Sequence, residues 1–496
     1  MAVNTAGVLV NMVTGLVVMP FLIQRLGPAT YGLWSLIGSL TGYLGVLDFG
    51  VRPAVGRLIA AHRARGEIEE VNAVVSTAVA ILCTVSLATL LATMLAVRAF
   101  PAVFPVPPDR LPDVAHALVL IGLTVAVGFP ASVFDGCLWG HERFDLLSAV
   151  DATVVLLRTV LIFALVRDSA PLATLAGIVF AVTGLGSVVK GIICFRIERR
   201  LRVSPRSFRR HKVWEIYSYG SWMSLITWSK TLTPQMAPAL IGHSLGTAAV
   251  TSFAVGRQLV AYADIFANAA TQVVAPRAIA AHAVRADGAQ EKLFFRGSEL
   301  ALALALYFGG GLLCLGLPFI HCWQHGSQDG SYRLMIVLLA GQILPMSQWI
   351  TYSILVGSNR HRLVGALAIF ELIAVAGLAT IAVHYMGLLA VCAAVALSGF
   401  LTRGVIQMVA GCRLLKIAVG RYVRQVFVPV SMASAPPIAI LAIATIWVGP
   451  RSFAAIGVLG AGYSILFALI VGLALVGPAG LKTIFESVVS RAERFG

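Results

Sequence analysis

Charge is scarce in this chain, and acids are the scarcer kind. Asp, Glu, Lys and Arg make up 12% of its 496 residues, about half the share of a soluble globular domain. There are 21 Asp and Glu against 37 Lys and Arg, a net charge of +16. Cysteine is equally thin: the 7 residues are odd in number and never spaced C-x-x-C, so no disulfide framework is implied. No G-x-x-x-x-G-K-[ST] phosphate loop occurs, so an ATP-driven pump would need a separate subunit. H-E-x-x-H is not found. The first apolar stretch begins almost at Met1 without a basic n-region or cleavage site, so no removable signal peptide is expected.

What is present is apolar sequence, 59% of the chain. A helix needs about 20 apolar residues to span a bilayer, and about fourteen such stretches are legible. They are 3–24, 31–56, 73–97, 114–135, 147–166, 172–195, 214–241, 247–275, 297–320, 333–357, 364–385, 387–412, 425–448 and 453–477. The expected fold is an all-α polytopic membrane protein. With the N-terminus inside, the loops and tail on that side hold 24 of the 30 basic residues outside the spans. The opposite loops hold Arg25, Arg98, Arg110, Arg167, Arg333 and Arg451. By the positive-inside rule both termini are cytoplasmic. The densest run, Arg196 to Lys212, reads as a topology signal touching anionic headgroups rather than a nucleic-acid site.

The chain repeats itself at an offset near 218 residues. Leu26-Gly27 matches Leu245-Gly246, and Tyr43 matches Tyr262. Ala60-Ala61-His62 with Arg65 matches Ala280-Ala281-His282 with Arg285. Leu138-x-Gly140-x-x-Arg143 matches Leu355-x-Gly357-x-x-Arg360, and Arg196 and Arg199 match Arg413 and Lys416. Each repeat holds six spans, an even number, so the two are parallel, an architecture known among transporters. The implied organisation is a lobe at 1–195, a basic linker at 196–213, a second lobe at 214–412, a terminal helix pair with its preceding loop at 413–477, and a tail at 478–496. A substrate site is expected between the lobes.

Seven cations interrupt the spans, although each costs about 2.5–3.5 kcal/mol at the bilayer centre. Arg57 and Lys190 lie near span ends, where their stems can snorkel to headgroups. Arg52, Arg158, Lys230, Arg257 and Arg403 are deeper. Helical spacing offers Asp48 to Arg52, Asp151 to Arg158 and Asp264 to Arg257, while Lys230 and Arg403 have no acid nearby in sequence. Glu371 lies close to the repeat equivalent of Asp151. Two readings stay open. The cations and acids pair and glue the bundle, or the cations line a cavity for an anionic headgroup, which suits the forked guanidinium. Asp48, Asp151, Asp264 and Glu371 are the candidates for charge pairing or for carrying H⁺ or Na⁺. Pro234 and Pro238 predict a bend just beyond Lys230. His321, Cys322, His325 and Asp329 gather after the ninth span, but Gly326 and Gly330 argue for a turn there and no metal is expected.

Several segments resemble bacterial polysaccharide transport proteins. They are the run from Arg25-Leu26-Gly27-Pro28 to Trp34-Ser35-Leu36, Leu47-Asp48-Phe49-Gly50-Val51 with the basic-then-acidic loop Arg63 to Glu70, Leu138-Trp139-Gly140-His141-Glu142-Arg143-Phe144, and the stretch Leu245-Gly246 to Tyr262. The family is that of O-antigen-type flippases, within the multidrug/oligosaccharidyl-lipid/polysaccharide exporter superfamily. The resemblance implies two six-helix lobes plus a terminal pair, and a central cavity lined by cations. It implies an undecaprenyl-pyrophosphate-linked oligosaccharide as substrate, moved from the cytoplasmic to the periplasmic leaflet of the bacterial inner membrane. It implies no enzyme activity, no cofactor beyond a coupling H⁺ or Na⁺, and other polysaccharide assembly proteins as partners. The alternatives are an ion-coupled exporter of small amphiphiles on the same fold, and a membrane-embedded glycan-processing enzyme. The outer loops are short for the latter and carry no clustered acid pair.

Overall fold

The computed structural model describes residues 2–48, 50–271, 289–358 and 360–492. The repeat segment Ala280-Ala281-His282 with Arg285, the end of the eighth span and Phe49 lie outside them. Among the described residues the chain is helical throughout and has no strands. It forms two compact units, Met1–Thr251 and Ser252–Gly496. This boundary lies downstream of the basic linker that separates the repeats.

The first unit holds α1 (Ala2–Leu26), α2 (Pro28–Gly45), α3 (Val51–Ala64), α4 (Ile68–Val103), α5 (Leu111–Gly140), α6 (Phe144–Leu165), α7 (Leu172–Ile197) and α8 (Arg210–Leu245). Helix α9 (Thr247–Thr271) runs across the boundary. The second unit continues with α10 (Ala289–Trp323), α11 (Ser331–Ser347), α12 (Trp349–Gly357), α13 (His361–Gly399), α14 (Gln407–Leu414), α15 (Val419–Tyr422), α16 (Val428–Val448) and α17 (Phe453–Ala492). Gly387, at φ 60 and ψ −134, breaks α13 in two. π-Helical turns at Phe400–Ile406 and Val423–Phe427 lead into α14 and α16.

Ten of these segments are long and apolar enough to cross a membrane, and an eleventh is the pair α11 and α12, bent by 44°. The protein is therefore a multi-pass membrane protein, but the expected fourteen spans are not all of one kind. The second, seventh and eighth are helical and are not among the eleven. Helices α3, α8 and α9 are more polar than the helices long and apolar enough to cross a membrane. They carry Arg52, Arg57, Lys230 and Arg257, four of the seven flagged cations.

Matched residues of the repeat take the same local structure. Gly27 separates α1 from α2 at φ 82 and ψ 158. Gly246 separates α8 from α9 at φ 87 and ψ 169. This region of backbone space is essentially closed to residues with a Cβ. An added methyl would meet nothing within 4 Å at either position, so any penalty is backbone strain alone. Gly27→Ala and Gly246→Ala should each destabilise the protein by about 1–3 kcal/mol, read as a lower melting temperature in detergent. At the second match, the Arg143 N–H donates to Leu138 O at 3.0 Å and the Arg360 N–H to Leu355 O at 2.9 Å. These six-residue closures end α5 and α12 in the same manner.

Close backbone approach assembles the first unit. Helix α5 carries Gly136-x-x-x-Gly140, a spacing that lets membrane helices touch. A Cβ on Gly140 would lie 3.0 Å from Gly56 O of α3, and one on Gly136 would lie 3.3 Å from Arg52 O. Val51, Val55 and Ile59 of α3, Val74 and Leu82 of α4, and Val133 and Leu138 of α5 fill the core beside this crossing. The basic loop is stapled rather than loose. Asn72 on α4 donates to Arg200 O at 3.1 Å and accepts from the Arg202 N–H at 2.9 Å, Ser76 accepts from the Ser204 N–H at 3.1 Å, and Thr77 accepts from the Arg209 N–H at 3.1 Å. Lys212, expected as part of a headgroup-facing run, is instead buried against Glu215 at 2.8 Å, Glu70 at 3.0 Å and His62 Nε2 at 3.1 Å. Burial opposes its charge, but the two carboxylates outweigh it and hold the ammonium above the ordinary lysine range.

In the second unit, α16 and α17 pack on α10. The Tyr307 and Tyr463 rings stack at 5.2 Å, and the Tyr463 hydroxyl donates to Tyr307 O at 2.9 Å. Phe294, Ile350, Tyr422 and Phe467 are buried around this seam. From the last turn of α10, His321 Nδ1 lies 2.8 Å from Asp329 in the loop that follows, where His325 turns at φ 52. Among the described residues no three His, Cys, Asp or Glu side chains come together as a metal site.

Candidate functional site: the intramembrane charges

In the first unit, Asp48 ends a short 3₁₀ turn and Gly50, at φ 71, redirects the chain before α3 begins. The helical spacing expected between Asp48 and Arg52 is broken at that glycine. Arg52 instead places Nη2 3.1 Å from Asp135 Oδ2 on α5, next to the glycine crossing. Asp48 Oδ1 stays buried with no hydrogen-bond partner among the described residues. Lys190 of α7 does not snorkel. Its ammonium is 13% exposed and lies 2.8 Å from Asp135 Oδ1 and 2.7 Å from Asp151 on α6. The Asp135 contact is an ion pair by distance, without the angle of a hydrogen bond. Arg52, Asp135, Lys190 and Asp151 thus form one chain of alternating charge, neutral as a set. Asp151 is committed to Lys190, so Arg158, two turns along α6, has no ion pair or hydrogen bond among the described residues and is half-buried. Lys230 is exposed on α8. Close by, the Tyr43 hydroxyl donates to Gln235 O at 2.8 Å, within the Pro234–Pro238 stretch.

Asp135 was missed in the sequence because its apolar stretch was ended at residue 135, whereas α5 runs on to Gly140. An acid five residues beyond Pro130 and directly before Gly136 was the available signal.

The second unit holds a separate cluster. Arg403 Nε lies 3.0 and 2.9 Å from the two oxygens of Glu371, and its Nη2 lies 3.3 Å from Gln342 Oε1. Thr402 Oγ1 donates to Glu371 at 3.0 Å. Consecutive residues reach one carboxylate because they sit on the π-helical turn, a feature frequent at functional sites. Gln342 also lies beside Asp264, which accepts from Trp349 Nε1 at 3.0 Å at the start of α12. Arg403, without an acid nearby in sequence, is therefore tied to one 32 residues earlier. Asp264, spaced to serve Arg257, turns to Trp349. Arg257 is half-buried on α9 and makes no ion pair or hydrogen bond among the described residues. The linked cluster has two carboxylates and one guanidinium, a deficit of one positive charge when both acids are ionised.

Sequence comparison finds 20% identity over 382 residues with a putative O-antigen transporter of Shigella flexneri, covering 74% of this chain and 87% of the relative. EpsK, an uncharacterized membrane protein of Bacillus subtilis (strain 168), is 25% identical over 218 residues, which span 42% of this chain and only 41% of EpsK's own length. Among solved structures, an inward-facing multidrug resistance MATE family transporter of the MOP superfamily superposes with a TM-score of 0.68 at 16% identity, covering 84% of this chain and 96% of that one. A MOP superfamily transporter from Pyrococcus furiosus Vc1, for which a reverse polarity of the binding pocket suggests a different function, superposes with a TM-score of 0.61 at 14% identity, covering 84% and 94%. These structural likenesses establish the fold. The family model described as polysaccharide biosynthesis protein matches residues 1–282, more than half of the chain, so this multi-pass membrane protein of transporter fold belongs to the polysaccharide biosynthesis protein family.

Proposed function

We propose that the protein is a flippase for undecaprenyl-pyrophosphate-linked oligosaccharide in the bacterial inner membrane, with both termini cytoplasmic. It works by alternating access and carries the headgroup to the periplasmic leaflet while the prenyl tail stays in lipid. The observation that carries this reading is the pair of half-buried cations, Arg158 and Arg257, to which no described residue supplies a counter-charge. A guanidinium left in apolar surroundings is costly unless an anion comes to it, and a pyrophosphate offers paired oxygens matched to its fork. The family and the Shigella flexneri relative support the substrate class. Within the first unit Lys230 and Arg52 are further cations for a headgroup, whereas the Arg403 guanidinium of the second unit is occupied by Glu371.

A charge-assisted hydrogen bond is worth about 1.5–3 kcal/mol, or roughly 10–100-fold in affinity. Arg158→Ala and Arg257→Ala should each weaken binding of the lipid-linked sugar by that factor. The precursor should then accumulate in the cytoplasmic leaflet, with little change in melting temperature. Normal surface polysaccharide in the double variant would sink the proposal.

Coupling to H⁺ or Na⁺ belongs, on this reading, to Asp264. Its hydrogen-bond partner Trp349 is neutral, and the nearby Arg403 is held by Glu371. Asp264→Asn should abolish the dependence of flipping on an imposed ion gradient and leave substrate binding intact. Equal gradient dependence in wild type and variant would remove Asp264 from that role.

A further inference from the structure

The segment Leu138 to Arg143 ends α5 and takes no part in the ion network. His141 is its C-cap and is 7% exposed. Its Nδ1 lies 2.8 Å from Cys137 O. A carbonyl can only accept, so Nδ1 carries the proton and Nε2 of the neutral ring is an acceptor. Nε2 is buried with no hydrogen-bond partner among the described residues, a condition that costs about 1–3 kcal/mol.

His141 is among the residues lining a cavity of about 350 Å³, whose walls also include Arg63, Glu198, Arg200, Ile68 and Val71. Arg63 is near enough for its charge to act on the imidazole. The Arg200 wall is held in place: its N–H donates to Glu198 at 3.2 Å, and its carbonyl accepts from Asn72 at 3.1 Å. The residues lining the cavity therefore include two arginines, whose guanidiniums favour phosphate oxygens, and an acid and an imidazole, which can accept from hydroxyls.

We propose that this cavity binds a phosphorylated polyol, with Arg63 and Arg200 on the phosphate and His141 Nε2 accepting from a hydroxyl. The same chemistry is presented by the glycerol headgroup of phosphatidylglycerol and by a soluble sugar phosphate. The site lies on the basic-loop side of the first unit, apart from the intramembrane charges, and stands whether or not the flippase reading does.

The test uses the full chain in nanodiscs of phosphatidylcholine, titrated with glucose 1-phosphate, and in nanodiscs containing phosphatidylglycerol, with retained lipid read by native mass spectrometry. His141→Asn keeps an amide against Cys137 O and deletes the Nε2 acceptor; it should weaken the bound species about tenfold, the worth of one hydrogen bond of about 1.4 kcal/mol. Arg63→Gln with Arg200→Gln should remove binding. Arg206→Gln, on the same loop outside the cavity, should leave it unchanged. Binding of glucose 1-phosphate alone supports the proposal with a soluble source, and retention of phosphatidylglycerol alone supports it with a lipid source. If neither binds, or if the His141 and double Arg variants bind as the wild type does, the proposal is overturned.

Discussion

Arg403→Met should destabilise the protein by about 3–5 kcal/mol, the usual cost of orphaning a buried charge. Glu371→Met should cost less, about 1–2 kcal/mol, for hydrogen bonds lost to a group that can still reach water. The asymmetry follows from burial. The Glu371 side chain is 6% exposed and the Arg403 side chain 41%. Without Arg403 the carboxylate keeps only the Thr402 hydroxyl and must take up a proton or stay charged in an apolar environment. Without Glu371 the guanidinium still has Gln342 and an accessible face. The double variant should recover most of the loss, because an apolar pair of similar volume carries no desolvation penalty. Thermal unfolding of the four proteins at one scan rate in one detergent supplies the cycle. Equal single losses that simply add would show that the ion pair is not what holds α13 to its π-helical turn.

Lys190→Met should cost about 3 kcal/mol or more, because the lysine serves two acids at once. Asp135 is 12% exposed and would be left with Arg52 alone, itself 49% exposed and 3.1 Å away. Asp151, 52% exposed, would rehydrate. For that reason Asp151→Asn should cost under about 1 kcal/mol, although it breaks the shorter of the two contacts. Lys190→Arg should hold both partners and melt near the wild type. A Lys190→Met protein as stable as Asp151→Asn would mean that Asp135 is not a buried anion in need of two cations. The same network sets the specificity of the transport experiment: removing Arg52 strips Asp135 of a partner, so its variant confounds folding with binding, whereas Arg158 and Arg257 have no described partner to orphan.

Much of this was legible in the chain before any coordinates. The fourteen apolar stretches fall on helices over the residues described, although the second is interrupted between Asp48 and Gly50 and the tenth at Gln348, and eleven of them at most are long and apolar enough to cross a membrane. The Leu26-Gly27 and Leu245-Gly246 match marks two corners at the same unusual φ and ψ, and the Leu138 and Leu355 matches mark two identical helix ends. The cations that interrupt the spans were visible as a set. Their partners were not. Helical spacing assigned Asp48 to Arg52, Asp151 to Arg158 and Asp264 to Arg257; Asp151 and Asp264 turn to partners elsewhere, and the Arg52 guanidinium turns to Asp135. Lys190, read as a headgroup contact, is the centre of a network.

Composition and periodicity determined that the chain is a bundle of apolar helices able to cross a membrane, because that property depends only on apolar length and local backbone preference. Which cation is neutralised and which is left for a ligand was decided by tertiary structure. The deciding contacts cross between helices: α3 to α5 through facing glycines, α7 to both α5 and α6 through one lysine, and α13 to its own continuation through a π-helical turn. A salt bridge between helices depends on crossing angle and depth, and neither is written in the spacing of residues along one helix.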